Sequence, residues 1–158
     1  MIAYDKKKER VIYETKAKRQ PFGFIGLTED DQFLVLSAYS SDTGYRSFFK
    51  MSLATGEISD AGLNRAGADI GWFFQDLHQY VYGTQYSGLI PSYQFYDADV
   101  DARVSNILSA LPDHTVQIVD HTPDWKKIIV YVEGSTSAGD YYLVDDNEEV
   151  IRKLSEVH

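Results

Sequence analysis

The side chains able to do chemistry are few, and their spacing decides little in favour of catalysis. The histidines are His78, His114, His121 and His158. No two of them stand at the i, i+4 separation that lets one helix face bind zinc. His121 follows Asp120 and lies near Asp124, a grouping that could orient an imidazole or hold a metal; the same residues also read as a turn at a strand end. The stretch Gly134-Ser-Thr-Ser-Ala-Gly139 has the residue types of a nucleophile elbow but not the Gly-x-Ser-x-Gly spacing, and reads as a hairpin turn. Gly62, Gly67 and Gly71 are scattered, without the strand-to-helix context that cradles phosphate. With no cysteine, disulfides, thiol nucleophiles and thiolate metal sites are excluded. No catalytic, cofactor-binding or metal-ligating residue is therefore assigned. Trp72 and Trp125 could line a ligand mouth, although such residues more often fill a core.

Three carboxylates recur at a regular interval: Asp30, Asp76 and Asp124, separated by 46 and 48 residues. Each lies between a short apolar run and a stronger one, as in Phe22–Leu27 and Phe33–Tyr39, or Val116–His121 and Lys127–Val132. An aspartate so placed accepts a hydrogen bond from the backbone N–H two residues on and closes a tight turn. A structural role is expected for all three, in preference to acid–base catalysis.

The rest of each repeat also matches. A Ser/Gly/Thr-rich turn follows (Ser40–Gly44, Gln85–Leu89, Gly134–Gly139), then an aromatic strand (Tyr45–Leu53, Tyr93–Tyr96, Asp140–Asp145). The first repeat continues through Ala54-Thr-Gly-Glu57 into a strand near Ile58, where Gly56 would supply a positive φ, and the third through Asp146–Glu149 into Val150–Leu154. In the second, Val100, Val104, Ile107, Leu108 and Leu111 mark one face of a helix over Asp99–Leu111, capped by Asp97 or Asp99 and stopped before Pro112. Ile2–Asp5 and Val11–Glu14, joined by a Lys-rich turn, read as the last two strands of an earlier repeat.

Repeats of about 40–50 residues built from short strands are typical of β-propeller blades. The expected fold is mainly all-β: one partial propeller of about three to three and a half antiparallel blades with one short inserted helix. Residues 1–20 end a preceding blade, 21–62 form a blade, 67–112 a blade with the helix, and 113–155 a blade. The composition agrees, with 158 residues, 44 % hydrophobic content and 14 % aromatic content including 12 Tyr.

The formal net charge of −9 argues against nucleic acid as a partner. Positive charge crowds the start, at Lys6, Lys7, Lys8, Arg10, Lys16, Lys18 and Arg19. That run reads as a solvated turn and connector, or as a basic arm for an acidic partner. The first ten residues lack the apolar core of a signal peptide, and no apolar run reaches the roughly 18 residues of a membrane span, so no membrane partner is expected.

The third repeat resembles a known family. Its residues are Ala110-Leu-Pro-Asp-His-Thr-Val-Gln-Ile-Val119, Lys127-Ile-Ile-Val-Tyr-Val-Glu-Gly-Ser135 and Gly139-Asp-Tyr-Tyr-Leu-Val-Asp145, and Leu53-Ala-Thr-Gly-Glu57 adds to them. They are similar to the propeller domain of the prolyl oligopeptidase family of serine peptidases, in particular its dipeptidyl aminopeptidase/acylaminoacyl-peptidase-like branch. The likeness covers roughly residues 22–154. It implies a propeller that gates or orients peptide substrates for an α/β-hydrolase domain that carries the catalytic triad. None of these 158 residues corresponds to that triad, so the chain is expected to be no enzyme on its own and to need no cofactor. The competing expectation is a propeller-like protein-binding module. A small enzyme built around His121 and Asp124 is a third. An incomplete ring also leaves sheet edges open, from which self-association is expected.

Overall fold

A computed structural model describes residues 2–5, 8–16, 22–39, 46–135, 137–146 and 150–156. The turn expected at Ser40–Gly44 and most of the early basic run lie outside them. The described residues form thirteen strands and one helix: β1 (Ile2–Asp5), β2 (Lys8–Val11), β3 (Gly23–Leu27), β4 (Phe33–Tyr39), β5 (Arg46–Ser52), β6 (Ile58–Asp60), β7 (Ile70–Gln75), β8 (Val81–Tyr86), β9 (Ser92–Phe95), α1 (Ala98–Ala110), β10 (Thr115–His121), β11 (Lys127–Gly134), β12 (Ser137–Asp145) and β13 (Val150–Glu156). Their sheet orders are β1-β2, β3-β4-β5-β6, β7-β8-β9 and β10-β11-β12-β13. Neighbours follow chain order throughout, and among the described residues no sheet closes on itself. The mainly β composition and the single helix after β9 match expectation. The early hairpin differs: its second strand is Lys8–Val11 rather than Val11–Glu14, so Lys8 and Arg10 of the basic run lie in a strand.

Two sheets are built to one register. In the first, Phe24 faces Leu36 and Gly26 faces Val35, with Ile25 bulged between them. In the last, Ile118 faces Val130 and Asp120 faces Ile129, with Val119 bulged. Every one of these positions recurs 94 residues on. The outer strands repeat too: Phe49–Asp60, Lys50–Ser59 and Met51–Ile58 become Tyr142–Lys153, Leu143–Arg152 and Val144–Ile151, 93 residues on. One residue has been dropped in the intervening hairpin, and the last sheet adds register shifts of its own at Val132/Gly134 and Tyr141/Tyr142. Because a one-residue slip turns every side chain to the other face, a shared register with a shared bulge is a demanding match.

The chain divides into two compact units, Met1–Gln85 and Tyr86–His158. Within the first, β3–β6 pack against β7 and β8. Val35, Leu63 and Val81 form a buried cluster, flanked by Ile25, Ile70 and Phe73. Phe48 meets Phe73 edge-on at 5.0 Å. Polar links run alongside: Leu27 N–H donates to Gln79 C=O (2.9 Å), and the Gln75 amide donates to Ile25 C=O (2.6 Å). Gly26 permits this closeness, since a Cβ there would lie 2.2 Å from the Gln79 carbonyl oxygen. The hairpin β1–β2 is held through Arg10, whose guanidinium donates to the Ala54 carbonyl (2.9 Å) and to that of Leu53. Gly56 adopts the expected positive φ (75°) in the β5–β6 turn, where a Cβ would lie 2.1 Å from the Ile12 carbonyl oxygen.

Within the second unit, α1 begins at an Asp97 cap that accepts from Asp99 and Val100 N–H groups. It buries Val100, Val104 and Ile107, as the apolar spacing foretold. Asp101 turns back to accept from Phe95 N–H (2.8 Å), tying the helix to β9. Tyr93 sends its hydroxyl to Val116 C=O (2.8 Å) and accepts from Ile118 N–H (3.3 Å), fixing β9 against β10. Burial pushes that phenol upward from its ordinary pKa.

Candidate functional site

The three repeat aspartates are turn acceptors, as expected. Asp30 accepts from Gln32 N–H (3.0 Å), Asp76 from His78 N–H (2.8 Å) and Asp124 from Lys126 N–H (3.1 Å). The turns at Asp30 and Asp124 are copies of each other. In both, a threonine two residues earlier donates its hydroxyl to the aspartate: Thr28 (2.5 Å) and Thr122 (2.6 Å). In both, the threonine hydroxyl also accepts from the first residue of the next strand, Phe33 or Lys127 (3.1 Å each). The middle turn is one residue shorter. Asp76 stands where the threonines stand, and its one carboxylate does both jobs, accepting from His78 and Tyr80 N–H. The structural landmark shared by all three turns is a left-handed residue: Asp31 (φ 57°), Gln79 (φ 65°) and Trp125 (φ 56°). Each donates its N–H to the carbonyl three residues back. Measured on that landmark the intervals are 48 and 46 residues, the reverse of the aspartate intervals.

These contacts set the chemistry. The Thr28 hydroxyl and Gln32 N–H hold the Asp30 carboxyl below the usual carboxylate range, and the Thr122 hydroxyl and Lys126 N–H do the same for Asp124. At Asp76 desolvation pushes upward, but the Tyr80 and His78 N–H groups, with the Tyr82 hydroxyl, outweigh it and the net shift is down. Carboxylates so held are ionised at neutral pH and are poor proton donors. A general acid–base catalyst needs a pKa near the working pH.

His121 ends β10 and Asp124 lies in the turn that leads to β11. Asp124 is committed to its own turn. Asp120 accepts from the His121 backbone N–H (2.8 Å), and the imidazole Nδ1 lies 3.0 Å from the Thr122 carbonyl oxygen. The ring stacks on Trp125, with centroids 3.6 Å apart and planes 11° apart. Trp125 is 3 % exposed and meets Phe95 edge-on at 4.8 Å. A positive φ is unfavourable for so bulky a residue, and this packing offsets it. Trp125 is thus a core residue. Trp72 is not: it stands 66 % exposed on β7.

Gly134 ends β11 and Ser137 opens β12, so the Ser-rich stretch is the expected hairpin, with Thr136 outside the described residues. His114 has a buried Nδ1 without a hydrogen-bond partner among the described residues. There, too, no group of three or more His, Asp or Glu side chains is placed to hold a metal ion.

Two polar anchors were not legible beforehand. Arg103 on α1 donates to Trp125 C=O (3.1 Å) and pairs with Asp146 (2.8 Å). Asn64 brackets Phe48, accepting from its N–H (2.9 Å) and donating to its carbonyl (2.7 Å). Neither belongs to a local motif; each acts across many residues.

Compared with protein-family models, with curated proteins and with solved structures, the chain matches none.

Proposed function

We propose that the chain is a partial β-propeller of about three and a half blades, serving as a non-catalytic segment that gates or orients peptide substrates for a serine hydrolase domain not contained in these residues. The observation that carries the propeller reading is the recurrence of one four-stranded register, bulge included, 93–94 residues on, with a three-stranded sheet midway. This is two steps of the expected blade length. The buried cluster of Val35, Leu63 and Val81, with Ile25, Ile70 and Phe73 around it, supports the reading as packing of the kind that neighbouring blades make. The peptidase association rests on the motifs of the third repeat. The pinned state of the three aspartates is consistent with chemistry supplied elsewhere.

A fluorophosphonate probe tests the catalytic half of the proposal, since it labels activated serines. The chain should remain unlabelled, and capture with the tagged chain should recover a probe-reactive hydrolase. Labelling of the chain itself would overturn the reading.

The alternative, a protein-binding module, draws on one specific feature. The first strand of each blade leaves a large apolar side chain open: Phe24, Trp72 and Val119, at 49, 66 and 53 % exposure. Capture of stable partners without any probe-reactive hydrolase would favour it.

A further inference from the structure

In the first unit, a cavity of about 490 Å³ lies between the start of β5 and the connection from β6 to β7. That volume is within the usual range of small-molecule sites. Phe48 and Ile70 supply apolar lining; Phe48 is buried, held by both Asn64 hydrogen bonds and by the edge contact with Phe73. Arg46 stands on one wall and Arg65 on the other. Arg65 opens a tight turn that Ala68 N–H closes onto its carbonyl (3.3 Å), with Gly67 at φ 74°. Arg46 lies 5.7 Å from the centroid of Tyr39, an attraction that uses no N–H donor. Among the described residues, Asp69 is the one carboxylate in the lining. The described lining thus carries two guanidinium groups and one carboxylate on a chain whose formal charge is −9.

We propose that this cavity binds an organic monocarboxylate with an apolar body, the carboxylate meeting Arg46 and the body lying on Phe48 and Ile70. A guanidinium offers parallel N–H donors that match a carboxylate in two-point fashion. An apolar, pre-formed floor supplies the area that a carboxylate alone lacks. Two sources present this chemistry: the C-terminus of a peptide and a free carboxylic acid. The inference rests on the lining of the cavity and stands apart from the peptidase reading.

Calorimetric titration of the full chain with three probes tests it: the tripeptide Ala-Ala-Phe, its C-terminal amide, and 3-phenylpropionate. The tripeptide acid should bind in the millimolar range or tighter, at least about tenfold more tightly than the amide. Binding of 3-phenylpropionate as well would assign the site to free acids in general; its failure beside a binding tripeptide would assign it to peptide termini. Arg46→Gln should weaken the acid about tenfold, and Arg46→Lys less, because a point charge replaces the fork. Equal binding of acid and amide, no acid binding up to about 10 mM, or full binding by folded Arg46→Gln would each overturn the proposal.

Discussion

At Asp76 a single carboxylate replaces the work of two side chains, and this has a consequence in acid. The folded carboxyls of Asp30, Asp76 and Asp124 lie below the value of 3.8 that they take when unconstrained. The unfolded chain therefore binds protons first as pH falls. The stabilisation from these turns is complete above pH 3.8 and is lost as pH drops through the lower folded values. Urea midpoints measured from pH 6 down to pH 2 should fall along an acid limb. A variant with all three changed to Asn should start from a lower midpoint at pH 6 and show a flatter limb. An unchanged limb would remove these carboxylates from the acid response. The turn function was legible because an aspartate acts within two residues of itself. The equivalence of the turns was not, because Asp76 sits at the threonine position and the eye aligns like with like.

Elements carry the packing. Gly26 on β3 faces the Gln79 carbonyl, and the Leu27 N–H bonds to that same carbonyl, so sheet-to-sheet distance in the first unit is set by a missing side chain. Gly26→Ala should lower stability by about 1–3 kcal/mol, because backbone must move to admit the methyl group. Denaturant unfolding of the variant reads this directly; a loss near zero would mean that the sheets can part at this point without cost. The strands, the helix and most of their order could be read from the alternation of apolar residues and from turn chemistry. The helix came out as Ala98–Ala110 against an expected Asp99–Leu111, a shift of one residue. Long-range anchors escaped, since Arg103 reaches Trp125 and Asp146, and Asn64 reaches Phe48, without any local pattern. The His121–Asp124 grouping took the turn reading that its spacing allowed: closeness in sequence placed both in one turn, where Thr122 and the Lys126 N–H engage the carboxylate.

On the scale of the molecule, β3 and β10 already engage Gln79 and Tyr93 along their outer edges, whereas β6 and β13 end the four-stranded sheets with one hydrogen-bonded neighbour each among the described residues. Such edges offer unpaired backbone groups to another chain. Light scattering at tens of micromolar should give at least twice the 18.0 kDa chain mass, and a strictly monomeric mass would count against open edges as an association surface. Repetition was the most legible property at this scale, because period and turn chemistry are both written in the residues. What the molecule does was less so, since the residues that repeat are the ones that build it. The Arg10 clasp carries one more implication. Trypsin cuts where it can draw a basic side chain into an acidic pocket, and the Arg10 guanidinium is already held by the Leu53 and Ala54 carbonyls. Lys16 is exposed. A brief digestion should nick after Lys16 well before it cuts after Arg10, so the order of fragments becomes a clock for the release of the first hairpin.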